Sequence, residues 1–86
     1  MVEREIEIKL AGGLEARPVA MLVQVASQYE SSVYIQTNEN KRVNAKSIMG
    51  MMSLGLNAGE KVTVEAEGAD EEDAINHIEK YLSGDN

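Results

Sequence analysis

Cysteine, tryptophan and phenylalanine are absent from this 86-residue sequence, proline and histidine occur once each, and tyrosine only three times. Without cysteine there are no disulfide staples and no thiolate metal sites, a composition that fits a reducing compartment. Without Trp and Phe, the core must be aliphatic. It must also be small, since a chain of this length forms one domain, residues 1 to 86, and buries only around 60 to 65% of the surface its unfolded form exposes. No apolar run approaches the ~20 residues that span a bilayer. Val2-Glu3-Arg4-Glu5 is charged where a secretory signal would be apolar, so a soluble, cytoplasmic protein is expected. Basic residues are scarce too: eight Lys and Arg stand against fifteen Asp and Glu, for a formal charge of −7. Binding to phosphates needs clustered Lys and Arg, so direct contact with nucleic acid or an anionic membrane is not expected. Gly55 and Gly59 have neither the spacing nor the lysine of a nucleotide-binding loop. Neither a cofactor nor a metal is expected. The acidic run Asp70-Glu71-Glu72-Asp73 has no alternating calcium-loop pattern and reads as the first turn of a helix, where carboxylates meet the positive end of the dipole.

What is present is patterned apolar sequence. Residues 2 to 10 alternate, with Ile6, Ile8 and Leu10 facing one way and Glu5, Glu7 and Lys9 the other, as in a half-buried strand that ends at Gly12-Gly13. Val19, Leu22, Val23, Ala26 and Tyr29 then recur at helical spacing, which predicts a helix running to about Tyr29 with Pro18 at its first position. Val33 to Thr37 and Lys41 to Asn44 read as two short strands around the polar hairpin Asn38-Glu39-Asn40. A short helix from Ser47 to Leu54, closed by Gly55, is followed by a fourth strand. There Val62, Val64 and Ala66 alternate with Thr63, Glu65 and Glu67, and Gly68 stops it. Asp70 is the expected N-cap of a last helix buried along Ala74, Ile78, Tyr81 and Leu82, and Gly84-Asp85-Asn86 is expected to fray. The order βαββαβα, with one wet and one buried sheet face, predicts an α+β open-faced sandwich.

Two segments carry more information than the periodicity: Gly12-Gly13-Leu14-Glu15-Ala16-Arg17-Pro18, and Asn44-Ala45-Lys46-Ser47-Ile48-Met49-Gly50-Met51-Met52-Ser53-Leu54-Gly55. Together they resemble the two phosphorylation loops of the HPr family, the histidine-containing phosphocarriers of the bacterial sugar phosphotransferase system. The resemblance runs along the whole chain. It implies an HPr-like antiparallel sheet in the order 1-4-2-3 with three helices on one side. One residue breaks the match, because Glu15 stands where the family carries the histidine that relays phosphate. Keeping the serine loop while losing that histidine is similar to the Crh-type, catabolite-repression branch of the family. Members of that branch usually carry glutamine here, so glutamate is a departure within it as well.

A phosphoryl carrier needs a nucleophile whose phosphorylated form survives until the next partner arrives, and imidazole meets that need. Glu15 instead brings a fixed negative charge that repels an incoming phosphate. Nothing around it suggests the activation that an acyl phosphate would require. Read from the residues alone, Glu15 is an anion near the helix start, worth roughly 0.3 to 1 kcal/mol there. It also imitates, in charge only, a phosphorylated carrier loop. The single histidine, His77, lies inside the last helix without a glycine-rich approach and reads as a surface residue with no special role.

Ser47 is placed to cap a short helix. The resemblance adds that it is the target of the ATP-dependent HPr kinase/phosphorylase, and that the phosphoprotein serves as corepressor of the catabolite control repressor. On this reading the protein is not an enzyme, and a phosphoserine at the helix start would be favoured by the dipole and the free N–H groups. Lys46 would offset part of its charge. The resemblance places Ala16, Arg17, Lys46, Ile48, Met49 and Met52 on the partner face, with Met51 and Leu54 packing inward. Two alternatives stay open: a phosphotransferase-system carrier working through Glu15 or His77, and an interaction protein whose Ser47 is never modified. A monomer is expected, and the Gly12-Gly13 connection leaves exchange of the first strand between two chains open as a homodimeric form.

Overall fold

Ile6, Val33, Ile35, Val62 and Val64, each on the same side of an alternating strand, are buried together with Val19, Leu22, Ala26, Ala74, Ile78 and Leu82 from two helices. That shared burial fixes the architecture. In the computed structural model, which describes residues 1–9, 16–37, 40–55 and 58–84, the elements run β1 (Val2–Glu7), α1 (Ala16–Ser27), β2 (Ser32–Gln36), β3 (Arg42–Asn44), α2 (Ile48–Met52), β4 (Lys61–Glu67) and α3 (Glu71–Leu82). The strands form one antiparallel sheet in the order β1-β4-β2-β3. Three helices cover one of its faces, giving the open-faced α+β sandwich.

Registers explain which face is which. Ile6 pairs with Val62, Ile35 with Val64 and Val33 with Ala66, so apolar residues lie side by side toward the helices. On the outer face Tyr34 pairs with Glu65, and Glu3 is the other neighbour of Glu65. Glu65 does not stand in water as its alternation with Val64 and Ala66 suggested, for it is only 8% exposed. The Arg42 guanidinium lies 3.9 Å from the centre of the Tyr34 ring and 3.2 Å from Glu65 Oε1. This cation pairs with the Glu65 carboxylate while its flat side covers an aromatic ring.

Several boundaries differ from the sequence reading for local reasons. β1 stops at Glu7, although Ile8 still exchanges backbone hydrogen bonds with Glu60 and Gly59. Leu10 and the tip of the hairpin at 38–39 lie outside the described residues, as do Asp85 and Asn86. α1 begins at Ala16, so Pro18 is its third residue; it is still in the first turn, where its missing N–H leaves no gap. The helix ends at Ser27. Tyr29 is beyond it, half-buried against the core. β2 ends at Gln36, and β3 begins at Arg42. Val25 and Ile75 also enter the core, which widens the buried stripes of α1 and α3.

Asp70 flanks α3 as expected, but its side chain does not cap that helix. The carboxylate instead accepts hydrogen bonds from the Glu30 and Ser31 N–H groups and the Ser31 hydroxyl, tying the helix start to the approach to β2. These bonds, that of the Ser31 hydroxyl first, hold the Asp70 pKa below its ordinary value of 3.8. Glu71 reaches back to accept from the Gly68 N–H at 3.1 Å, and this bond is the main reason its own pKa is lowered. Gly68 is required on two counts: its φ is +153°, and a Cβ there would come within 2.7 Å of the Ser31 backbone. β1 is fastened to α3 by Arg4, whose Nη1 donates to Asn76 Oδ1 and Glu79 Oε1, both at 2.7 Å.

Candidate functional site

The short helix α2 would not persist on propensity alone, since five residues barely complete a turn. It is held from both ends and from below. Ser47, in an extended conformation, accepts from the Gly50 N–H on its Oγ at 3.2 Å and from the Met51 N–H on its carbonyl at 3.0 Å. At the other end the Ser53 hydroxyl donates to the Gly50 carbonyl at 2.6 Å. Met51 is 0% exposed and locks the helix onto the core with Leu54. Gly55, at φ +57°, closes the segment.

The loop before the helix is equally defined. Asn44 Oδ1 accepts from the Lys46 N–H at 2.8 Å, and the Asn44 carbonyl accepts from the Ser47 N–H at 3.0 Å. Such an asparagine turn presets the reversal that delivers Ser47 to the helix start. Lys46 does not extend toward Ser47. Its Nζ donates to the Tyr29 carbonyl at 2.8 Å, bridging the loop to the end of α1. The Tyr29 hydroxyl is in turn hydrogen-bonded to His77 Nδ1 at 2.7 Å, with the two rings edge to face. His77 is therefore half-buried and partnered rather than an idle surface residue.

Around Ser47 the helical phase divides the apolar residues cleanly. Ile48 (48%), Met49 (86%) and Met52 (52%) are exposed, while Met51 and Leu54 are buried. Met21, on the packed neighbour α1, is a further exposed apolar side chain that the sequence reading did not single out. Its position between Ala20 and Leu22, just off the buried stripe, was the available signal. Ala16 and Arg17 open α1, and Glu15 lies outside the described residues. The structure thus brings together Lys46, Ser47, Ile48, Met49 and Met52 on one loop and helix.

A half-buried hydroxyl at a helix start can cap, and it can also receive a phosphoryl group that the first-turn N–H groups and the dipole then stabilise. A sequence model described as "PTS HPr component phosphorylation site" matches residues 2–83, nearly the whole chain. The protein belongs to the HPr family. Within it, the HPr-like protein Crh of Bacillus subtilis is 44% identical over 82 residues, covering 95% of each chain. HPr-C-His from Thermoanaerobacter tengcongensis superimposes with a TM-score of 0.92 at 48% identity, covering 99% of this chain and 94% of that one. The crystal structure of Bacillus subtilis Crh, described as a dimer with a swapping domain, gives a TM-score of 0.80 at 42% identity, covering 100% and 98%. HPr-family proteins of this kind are phosphocarrier or regulatory proteins, and this one is accordingly not an enzyme.

Proposed function

We propose that this protein is a regulatory member of the HPr family acting in carbon catabolite repression: Ser47 is phosphorylated by HPr kinase/phosphorylase, and the phosphoprotein is the corepressor of the catabolite control repressor. The observation that carries this reading is the position of the Ser47 hydroxyl at the start of α2, beside the exposed trio Ile48, Met49 and Met52. A kinase can reach that hydroxyl, and the phosphate would sit at the rim of a ready-made apolar contact. Similarity to Crh proteins over 95% of the chain supports the same role. The family resemblance adds Ala16, Arg17 and Lys46 to the proposed partner face. The phosphate supplies charge-assisted hydrogen bonds to basic residues of the repressor, and DNA contact belongs to the repressor, in keeping with a charge of −7 on this chain.

Glu15 in place of histidine removes the carrier activity. Relay through His77 has no support, since its Nδ1 is engaged by Tyr29. No helix among the described residues is long and apolar enough to cross a membrane. The dimeric Crh relative supports a homodimer in which β1 is exchanged, with its pairing to β4 and the Arg4 contacts to α3 re-formed between chains. Sedimentation analysis tests that form. The functional reading is tested with Ser47→Ala. Loss of both kinase-dependent modification and repressor binding is expected, and full repressor affinity in this variant would reject the mechanism.

A further inference from the structure

Every sulfur in this protein is a thioether, five methionines with no cysteine. The fold sorts them. Met51 is completely buried, whereas Met49 and Met52 are the second and fifth residues after Ser47 and both face solvent. Three positions apart on one helix, they are surface neighbours, with Ile48 one turn from Met52. Met1 is exposed too, but it lines the outer side of the sheet with Ser32 and Tyr34, away from the helices.

We infer that Met49 and Met52 form an oxidation site at which a hydroperoxide converts the partner face beside Ser47 from apolar to polar; the effect on docking rests on the function proposed above. In each step the thioether sulfur attacks one peroxide oxygen, the O–O bond breaks, and the proton of that oxygen passes to the departing one. Thioether and hydrogen peroxide thus become sulfoxide and water, the sulfur losing two electrons and the peroxide gaining them. A dithiol reductant reverses the change, releasing the oxygen as water and becoming a disulfide. Oxidation of methionine is governed by access and turns a flexible apolar group into a polar one, with its largest effects on Met-rich contact surfaces. A sulfoxide oxygen pressed against an apolar partner loses its hydration without gaining a hydrogen bond. In the free protein both side chains already face water, so the fold is left intact.

The test treats Ser47-phosphorylated protein with hydrogen peroxide, maps the sulfoxides by peptide mass, records the thermal melt and titrates the repressor. Met49 and Met52 should oxidise well before Met51, with the melt unmoved and repressor affinity weakened by about tenfold or more. Methionine sulfoxide reductase with dithiothreitol should restore it. The double variant Met49→Leu/Met52→Leu, judged against its own untreated affinity, should not respond to peroxide although Met1 and Met21 still oxidise. Unchanged affinity after complete oxidation at 49 and 52 overturns the inference, as does oxidation of Met51 at the same rate or an equal loss in the double variant. If the untreated phosphoprotein does not bind the repressor, the proposed function falls and the docking half of this inference falls with it. The peptide map still decides whether the oxidation site exists.

Discussion

Lys46 Nζ donates to the Tyr29 carbonyl at 2.8 Å, so the cation next to Ser47 serves to anchor the loop rather than to meet the serine. Behind it, Tyr29 holds His77. The serine loop is thereby fastened to the end of α1 and, through it, to α3.

Truncating Lys46→Ala leaves that carbonyl without its charged donor. A half-buried bond of this kind contributes on the order of 1 kcal/mol. For a domain of this size, the melting temperature should fall by about 4 to 8 °C. Thermal denaturation followed by circular dichroism checks it, and an unchanged midpoint would show that the bridge contributes nothing.

Capping uses Ser47 Oγ, the atom that the proposed phosphorylation would modify, and substitution separates the two. Ser47→Ala removes the acceptor for the Gly50 N–H and should destabilise by about 0.5 to 2 kcal/mol, whereas Ser47→Asp keeps a capping oxygen and should stay close to wild type. Urea midpoints of the three proteins give the comparison.

Gly50 lies where a Cβ would be 3.4 Å from Ser47 Oγ and 3.5 Å from Val43 Cβ, in contact but without overlap. Gly50→Ala should therefore fold as well as wild type or gain up to about 1 kcal/mol from helix propensity. A methyl beside the hydroxyl should nevertheless slow phosphorylation several-fold. Initial rates with HPr kinase and ATP, set beside a thermal melt, reveal whether stability and reactivity part company.

The depressed pKa of Asp70 makes a signed prediction. The folded value lies below the unfolded one, so the stabilisation is fully present above about pH 3.8 and disappears as pH falls through the folded value. Asp70→Asn should be less stable than wild type at neutral pH, and the gap should close in acid. Melting midpoints across roughly pH 2 to 6 measure it. A gap independent of pH would remove the carboxylate from the account.

Period and phase carried much of this structure. Ile6 and Ile8 alternate with acids, and Leu22 and Ala26 recur a turn apart, whereas the split that sends Met51 and Leu54 inward and Ile48, Met49 and Met52 outward came from the family resemblance, a helix of five residues being too short for phase to decide it. What escaped the sequence was pairing over distance. Tyr29 and His77 are 48 positions apart, and Arg42 and Glu65 are 23. Local spacing therefore could not show that the histidine is held or that the glutamate is covered. Asp70 misled for a related reason: an aspartate before a helix signals a cap, and here the N–H groups leading into β2 compete for it and win. Ser47 was readable as a cap because that role is local, and the expectation that it accepts phosphate came with the family motif around it.

Under the proposed function the two loops divide their roles: Ser47 accepts phosphate, and Glu15 cannot carry it. Intact-mass analysis after two parallel incubations tests that division directly, one with HPr kinase and ATP, the other with the phosphotransferase Enzyme I and phosphoenolpyruvate. The expected result is one phosphoryl group from the kinase, mapped to Ser47, and none from Enzyme I. A phosphate acquired from phosphoenolpyruvate, or a kinase reaction that leaves Ser47 unmodified, would contradict it.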